Sequence, residues 1–273
     1  AAASIQGNGG SAMIGIVDGG GREAIDPELA GLVTAAFCRS VSRSQVTPAP
    51  PDALERFDIL VAAGLGEAQS AAVSEWWHGG ARKLIVFGAL PAGLRAAFGY
   101  EAAGPGPGDD PRGRAAPAKL QAGSESAFAV EYSGKTRALG LTPRRRPFER
   151  FDFTDEWNNH GYGRIRLDGS IWALADYCRI APEHLLADVT GGEMVSAYAG
   201  LLDMGERSVL WFNRPVGCLD SFEWRLVENF VSAHGTPQQP CQPVLSEIPA
   251  GHDAAITMRL DCDEDVASAR RLW

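Results

Sequence analysis

The sequence lacks the features that would place it in several large functional classes. Its five cysteines, Cys38, Cys178, Cys218, Cys241 and Cys262, contain no Cys-x-x-Cys pair among 273 residues. An odd count leaves one unpaired under full oxidation, so a reduced, cytoplasmic setting is the simpler expectation. No apolar run approaches the roughly 20 residues that span a bilayer, so a soluble chain without a membrane span is expected. Positive charge is scarce, with 25 Lys and Arg against 34 Asp and Glu and a net charge of -9. Phosphate contacts need clustered cations, so a nucleic-acid partner is not expected. Arg144-Arg145-Arg146, flanked by Pro143 and Pro147, is the one compact basic run and reads as a solvated loop. The stretch Ala1 to Ala12 is small and polar, without the basic-then-apolar order of a signal peptide, and reads as a flexible N-terminus.

What is present reads as an α/β chain. Met13 to Val17 is a buried strand ending in Asp18-Gly19-Gly20-Gly21, and Asp26-Pro27 opens a helix carrying Leu29, Leu32, Val33, Ala36 and Phe37. After a proline-rich turn at Pro48–Pro51 comes a second strand, Phe57 to Ala62, closed by Gly64 and Gly66. A helix from Glu67 to His78 stops at Gly79-Gly80, and a strand from Lys83 to Phe87 leads to Gly88 and a short helix from Pro91 to Phe98. Strands this continuously apolar predict parallel pairing, in a mostly parallel sheet with helices on both faces and some added antiparallel strands. Regularity lapses from Gly104 to Pro117. Strand-like runs follow at Arg164–Leu167, Ile171–Tyr177, Leu185–Val189 and Ser208–Phe212, with Met194–Leu201 helical or extended. A last helix starts near Asp220. Pro237, Pro240, Pro243 and Pro249 then mark a stiff linker over 235–252, and the strand Ala254 to Leu260 opens what reads as the start of a second domain over 253–273.

Three segments carry a resemblance: the strand entering Asp18-Gly19-Gly20, the strand Asp58 to Gly66, and the block from Val73 through Trp76-Trp77-His78 to Gly88. Together with Val209-Leu210-Trp211-Phe212-Asn213-Arg214-Pro215 and the closing helix, the chain from Met13 to His234 resembles class I glutamine amidotransferase-like domains, of flavodoxin-like architecture. Active members carry a cysteine on a tight strand-to-helix turn and a histidine after the last strand. The matching turn here, Gly88-Ala89-Leu90-Pro91-Ala92-Gly93, holds no cysteine, serine or threonine, and Phe212 to Val216 holds no histidine. The resemblance therefore implies a non-catalytic domain. Its ligand pocket would lie at the carboxyl edge of the sheet, among Asp18, Gly19, Gly20, Gly64, Gly66, Gly88 and Asn213.

Other residues invite chemistry. Cys218 precedes the closing helix, where a helix N-terminus can lower a thiol pKa. His160 sits in the loop Asn158-Asn159-His160-Gly161-Tyr162. Cys38, beside Phe37, reads as a buried structural thiol. Trp76-Trp77 could stack on a sugar, although adjacent helical positions point apart. Finally, Met258-Arg259-Leu260-Asp261-Cys262-Asp263 resembles the first motif of NodB-type polysaccharide deacetylases. That resemblance would make Asp261 the base and Asp263 a ligand for a divalent metal, zinc or similar, in a longer parent protein. The paired histidines at i, i+4 spacing that such a site needs are not among His78, His160, His184, His234 and His252. No cofactor is expected within this chain. The expectation is a non-catalytic accessory domain of a carbohydrate deacetylase, with a carbohydrate as its candidate ligand. The alternatives are a free-standing hydrolase built around Cys218, His160 or Asp18, and a structural module that forms a homo-oligomer.

Overall fold

The fold comes from a computed structural model that describes residues 13–19, 46–103, 129–147, 174–191, 194–214, 221–235, 237–242, 251–252 and 254–256. The expected helix around Leu29 to Phe37, the irregular stretch 104–117 and the expected strand Arg164–Leu167 lie outside the described residues.

A nine-stranded mixed sheet organises the chain, in the order β2-β1-β3-β4-β11-β10-β9-β6-β7. One half is parallel: β1 (Ile14–Asp18) lies between β2 (Val46–Pro48) and β3 (Ile59–Ala63), followed by β4 (Arg82–Phe87) and β11 (Arg207–Phe212). From β11 onward pairing is antiparallel, through β10 (Met194–Asp203), β9 (Leu185–Gly191), β6 (Ala129–Tyr132) and β7 (Arg145–Pro147). The sheet is thus half antiparallel, rather than mostly parallel with additions. A separate two-stranded ladder joins β5 (Glu101–Ala102) to β8 (Cys178–Arg179).

Two-residue alternation divides the strand side chains between two apolar clusters. On β4, Leu84 and Val86 join one cluster while Ile85 and Phe87 join the other. The first cluster takes in Val73, Trp76 and Trp77 of α1 (Glu67–His78) and Leu94 of the short α2 (Ala92–Arg95). The second takes in Trp224, Leu226, Val227, Phe230 and Val231 of α3 (Ser221–Ser232). Both α1 tryptophans are core. Trp76 Nε1 donates to the Phe57 carbonyl and Trp77 Nε1 to that of Ser208, so neither ring is offered to a sugar.

The structure departs from expectation in four places. The Pro48–Pro51 turn contains the end of β2 and leads into a 3-10 turn over Pro51–Arg56. Of the two readings open for Met194–Leu201, the structure takes the extended one, as part of β10. Residues 174–177 of the expected strand Ile171–Tyr177 carry no ladder, because Asn213 captures this backbone instead: its side-chain Oδ1 accepts from Asp176 N–H, and its carbonyl accepts from Ala175 N–H. The expected linker begins docked. Gln239 and Gln242 are buried, and Gln242 N–H donates to the Val231 carbonyl. Of the expected strand Ala254–Leu260, residues 254–256 are unpaired with Ile256 exposed, and the rest lies outside the described residues.

Register sets two carboxylates face to face, with Glu131 on β6 opposite Asp188 on β9. Burial first, and Glu131 second, push the Asp188 carboxyl up to about 6. A carboxyl raised in the folded state adds stability below its ordinary range, and that stability is lost as pH rises through about 6. Asp188→Asn is therefore expected to raise the melting temperature at pH 7 to 8. The gain should shrink towards zero near pH 4, as read by thermal unfolding across pH.

Candidate functional site

The sheet brings most of the residues expected at its carboxyl edge side by side. Each parallel strand of the central group continues its ladder by one residue: Gly19 N–H donates to the Ala63 carbonyl, Gly64 N–H to Phe87, and Gly88 N–H to Phe212. Asp18, Gly19, Gly64, Gly88 and Asn213 thus form one row along the carboxyl edge. Gly66 starts α1 beside that row, with its N–H donating to Gln69 Oε1, while Gln69 Nε2 donates to the Asp18 carbonyl. Gly20, His160, Cys218, Asp261 and Asp263 lie outside the described residues.

The row is closely packed. A Cβ on Gly19 would fall 1.6 Å from the Gly64 carbonyl oxygen, so only glycine allows this approach. Gly88 takes φ +108, which turns the chain out of β4 at the position where the resemblance would place a nucleophile. Its carbonyl accepts from Trp211 Nε1 at 2.8 Å, which anchors the turn to the core. Ala89 is exposed at the turn, while Leu90 and Pro91 are buried. Asn213 is fully buried and its amide is spent within the protein. Nδ2 donates to the carbonyls of Asp176 (2.8 Å) and Ala197 (2.7 Å), while Oδ1 accepts from Asp176 N–H. It clamps the 174–178 segment onto β11.

Next to Asn213, Arg214 enters a buried ionic cluster that sequence reading missed. At its centre is Glu223, in the first turn of α3 and wholly buried. Glu223 Oε1 accepts from Arg146 (2.7 Å), Tyr132 (2.7 Å) and Tyr198 (2.5 Å), and Arg214 stands 3.8 Å from Oε2. Burial alone would raise this carboxyl. The guanidiniums of Arg146 and Arg214, with hydrogen bonds from the two tyrosines, more than offset that and hold it down to about 2. The expectation of a solvated Arg144–Arg146 loop is corrected here. Arg145 faces outward to Glu131, whereas Arg146 turns inward to Glu223, because the segment is strand β7 and alternates. That alternation, and an acid in the first turn of an apolar helix, were the signals available.

A second polar group occupies the opposite, amino edge, where β10 ends and β4 and β11 begin. Asp203 Oδ1 accepts from Ser208 Oγ (2.6 Å) and lies 2.7 Å from His234 Nε2. These two contacts hold the carboxyl below its usual range against the upward push of burial. Ser, His and Asp meet here, but Ser208 and His234 both reach the same Asp203 oxygen. A hydrolytic triad needs the nucleophile bonded to the histidine. Buried Lys83 joins the group, with Nζ 3.1 Å from Cys241 Sγ. Asp203 also borders a cleft of about 260 Å³ lined by Lys135, Glu183, His184 and Leu186, among others. Among the described residues, no group of three His, Cys, Asp or Glu is placed to hold a metal, and no helix is long and apolar enough to cross a membrane.

Removing the charge of Glu223 would leave two guanidiniums buried around a neutral group. Glu223→Gln is expected to cost about 3 kcal/mol or more in urea unfolding at pH 7. A depressed carboxyl contributes stability above its ordinary range and loses it as pH falls towards about 2. The variant should therefore lose much of the native chain's acid-side decline.

No protein-family profile matches the sequence, and no curated protein matches it. Among solved structures, the exo-beta-1,4-mannosidase Op5Man5 from Opitutaceae bacterium strain TAV5 is similar over 75% of this chain and 31% of its own, at 13% identity and a TM-score of 0.37. Gan42B, a GH42 beta-galactosidase, is similar over 79% of this chain and 28% of its own, at 12% identity and a TM-score of 0.41. The chain thus spans less than a third of either protein.

Proposed function

We propose that this chain is a non-catalytic, amidotransferase-like accessory module, serving a ligand-binding or interaction role beside a carbohydrate deacetylase. The observation that carries the first part is the state of the carboxyl edge. The residues following β11, where the resemblance would place a base, are Asn213 and Arg214, both buried and both committed to internal bonds. The turn after β4 offers Ala89, which has no nucleophile and no proton to transfer. The flavodoxin-like layering, with helices on both faces, is supported by the separation of α1 and α3 into different apolar clusters.

An accessory role is preferred to an oligomerisation role. Among the described residues, the exposed large apolar side chains are Val195, Met204 and Ile256, too few for a broad apolar contact surface. The deacetylase part rests on Asp261 and Asp263, with the metal and its paired histidines belonging to a longer parent chain. Sequence beyond Trp273 without such a pair would remove it.

The non-catalytic reading is tested by incubating the chain with glutamine and, separately, with the covalent glutamine analogue 6-diazo-5-oxo-norleucine. No ammonia above the buffer blank and no added mass are expected. Steady ammonia release together with stoichiometric labelling of one residue would contradict the reading.

A further inference from the structure

The segment after α3 is held against the amino edge of the sheet, by Gln239 at the β10–β11 turn and the start of β11 and by Cys241 at β4. Gln239 Nε2 donates to the Gly205 carbonyl, and its Oε1 lies 2.7 Å from Ser208 Oγ. Gln242 is fully buried. Between them, Cys241 Sγ is half-buried and 3.1 Å from Lys83 Nζ. Lys83 has 0% exposure, with its Nζ 5.5 Å from the Phe230 ring centroid. Lysine is rarely buried in this way, because an ammonium loses its hydration unless a partner compensates. The titratable groups facing it are Cys241 and Asp203, with His234 behind Asp203. Burial drives the amine towards its neutral form, and the two facing groups oppose that.

We propose that Lys83 and Cys241 form a peroxide-triggered covalent bridge that staples the segment after α3 to the body of the sheet. In the first step the Cys241 thiolate attacks one peroxide oxygen. An S–O bond forms and the O–O bond breaks, giving a sulfenic acid and, after proton transfer, water. Sulfur loses two electrons and peroxide gains them. In the second step the neutral Lys83 amine attacks the sulfenic sulfur. An S–N bond forms, the S–O bond breaks, and the leaving hydroxide takes a proton from nitrogen to depart as water. The sum is thiol plus amine plus one peroxide, giving one sulfenamide and two waters. The second step needs no further oxidant, and the pair already stands in contact, so it is effectively intramolecular. The bridge would fix residues 237–242 covalently to β4.

The test uses the full chain, treated with a small molar excess of hydrogen peroxide, alkylated, digested and analysed by mass spectrometry. A Lys83 peptide joined to the Cys241 peptide is expected, lighter than the pair by two hydrogen atoms and released by dithiothreitol. Cys241→Ser should abolish it. In Lys83→Arg, checked for folding by circular dichroism, the sulfenic acid should persist, and dimedone should label Cys241 several-fold more than in the native chain. Three results would overturn the proposal. They are oxidation of Cys241 to sulfinic acid without any joined peptide, equal dimedone labelling in native chain and variant, and a Cys241 that stays reduced throughout. The native-chain digest decides the matter even if neither variant folds.

Discussion

Glu223 is the constraint on which the two halves of the sheet depend. Its carboxylate takes bonds from β6 through Tyr132, from β7 through Arg146 and from β10 through Tyr198, with Arg214 beyond the end of β11 close by. One acid on α3 thus ties the antiparallel strands to the end of the parallel group. Burying a charge is costly unless it is paired and hydrogen-bonded, and three hydrogen-bond donors with the nearby Arg214 guanidinium meet that cost here. The apolar residues of α3, from Trp224 to Val231, then seal the cluster from water.

This arrangement bears directly on function. In open α/β sheets the carboxyl edge is where ligands bind and chemistry is done. Here its central positions serve the fold: Gly19 lies against Gly64, Gly88 is anchored by Trp211, Asn213 clamps a backbone segment and Arg214 turns into the Glu223 cluster. The amino edge gathers a second polar group, Lys83, Asp203, Ser208, His234 and Cys241. Ser208 and His234 meet on Asp203 and not on each other, and Cys241 stands as a thiol against the buried Lys83 amine.

The parts legible in the sequence were those with strong local signals. β1, β3, β4 and β11 are each built on a short apolar run, and α1 ends at a glycine pair, so their positions follow from pattern alone. β2 was obscured by Pro48, Pro50 and Pro51, which read as a turn. Segment 194–203 was ambiguous because Ser196, Ala197, Ala199 and Gly200 fit a helix or a strand. The carboxyl-edge row was legible because glycines follow successive parallel strands, which bring such positions side by side. The Glu223 cluster was not. Tyr132, Arg146, Tyr198, Arg214 and Glu223 are spread over more than ninety positions, and only the long-range strand order joins them. Arg146 was hidden within an arginine run flanked by prolines, a composition that usually means solvent.

The most direct test of this account is the ionisation of Glu223 itself. Carbon-13 labelling of the glutamate side chains and an NMR titration of the folded chain would report it. A Glu223 carboxyl that stays ionised down to about pH 2 is the predicted result. Titration at or above the ordinary glutamate value near 4.5 would contradict the account, because the two guanidiniums and two tyrosines would then not be holding a buried charge.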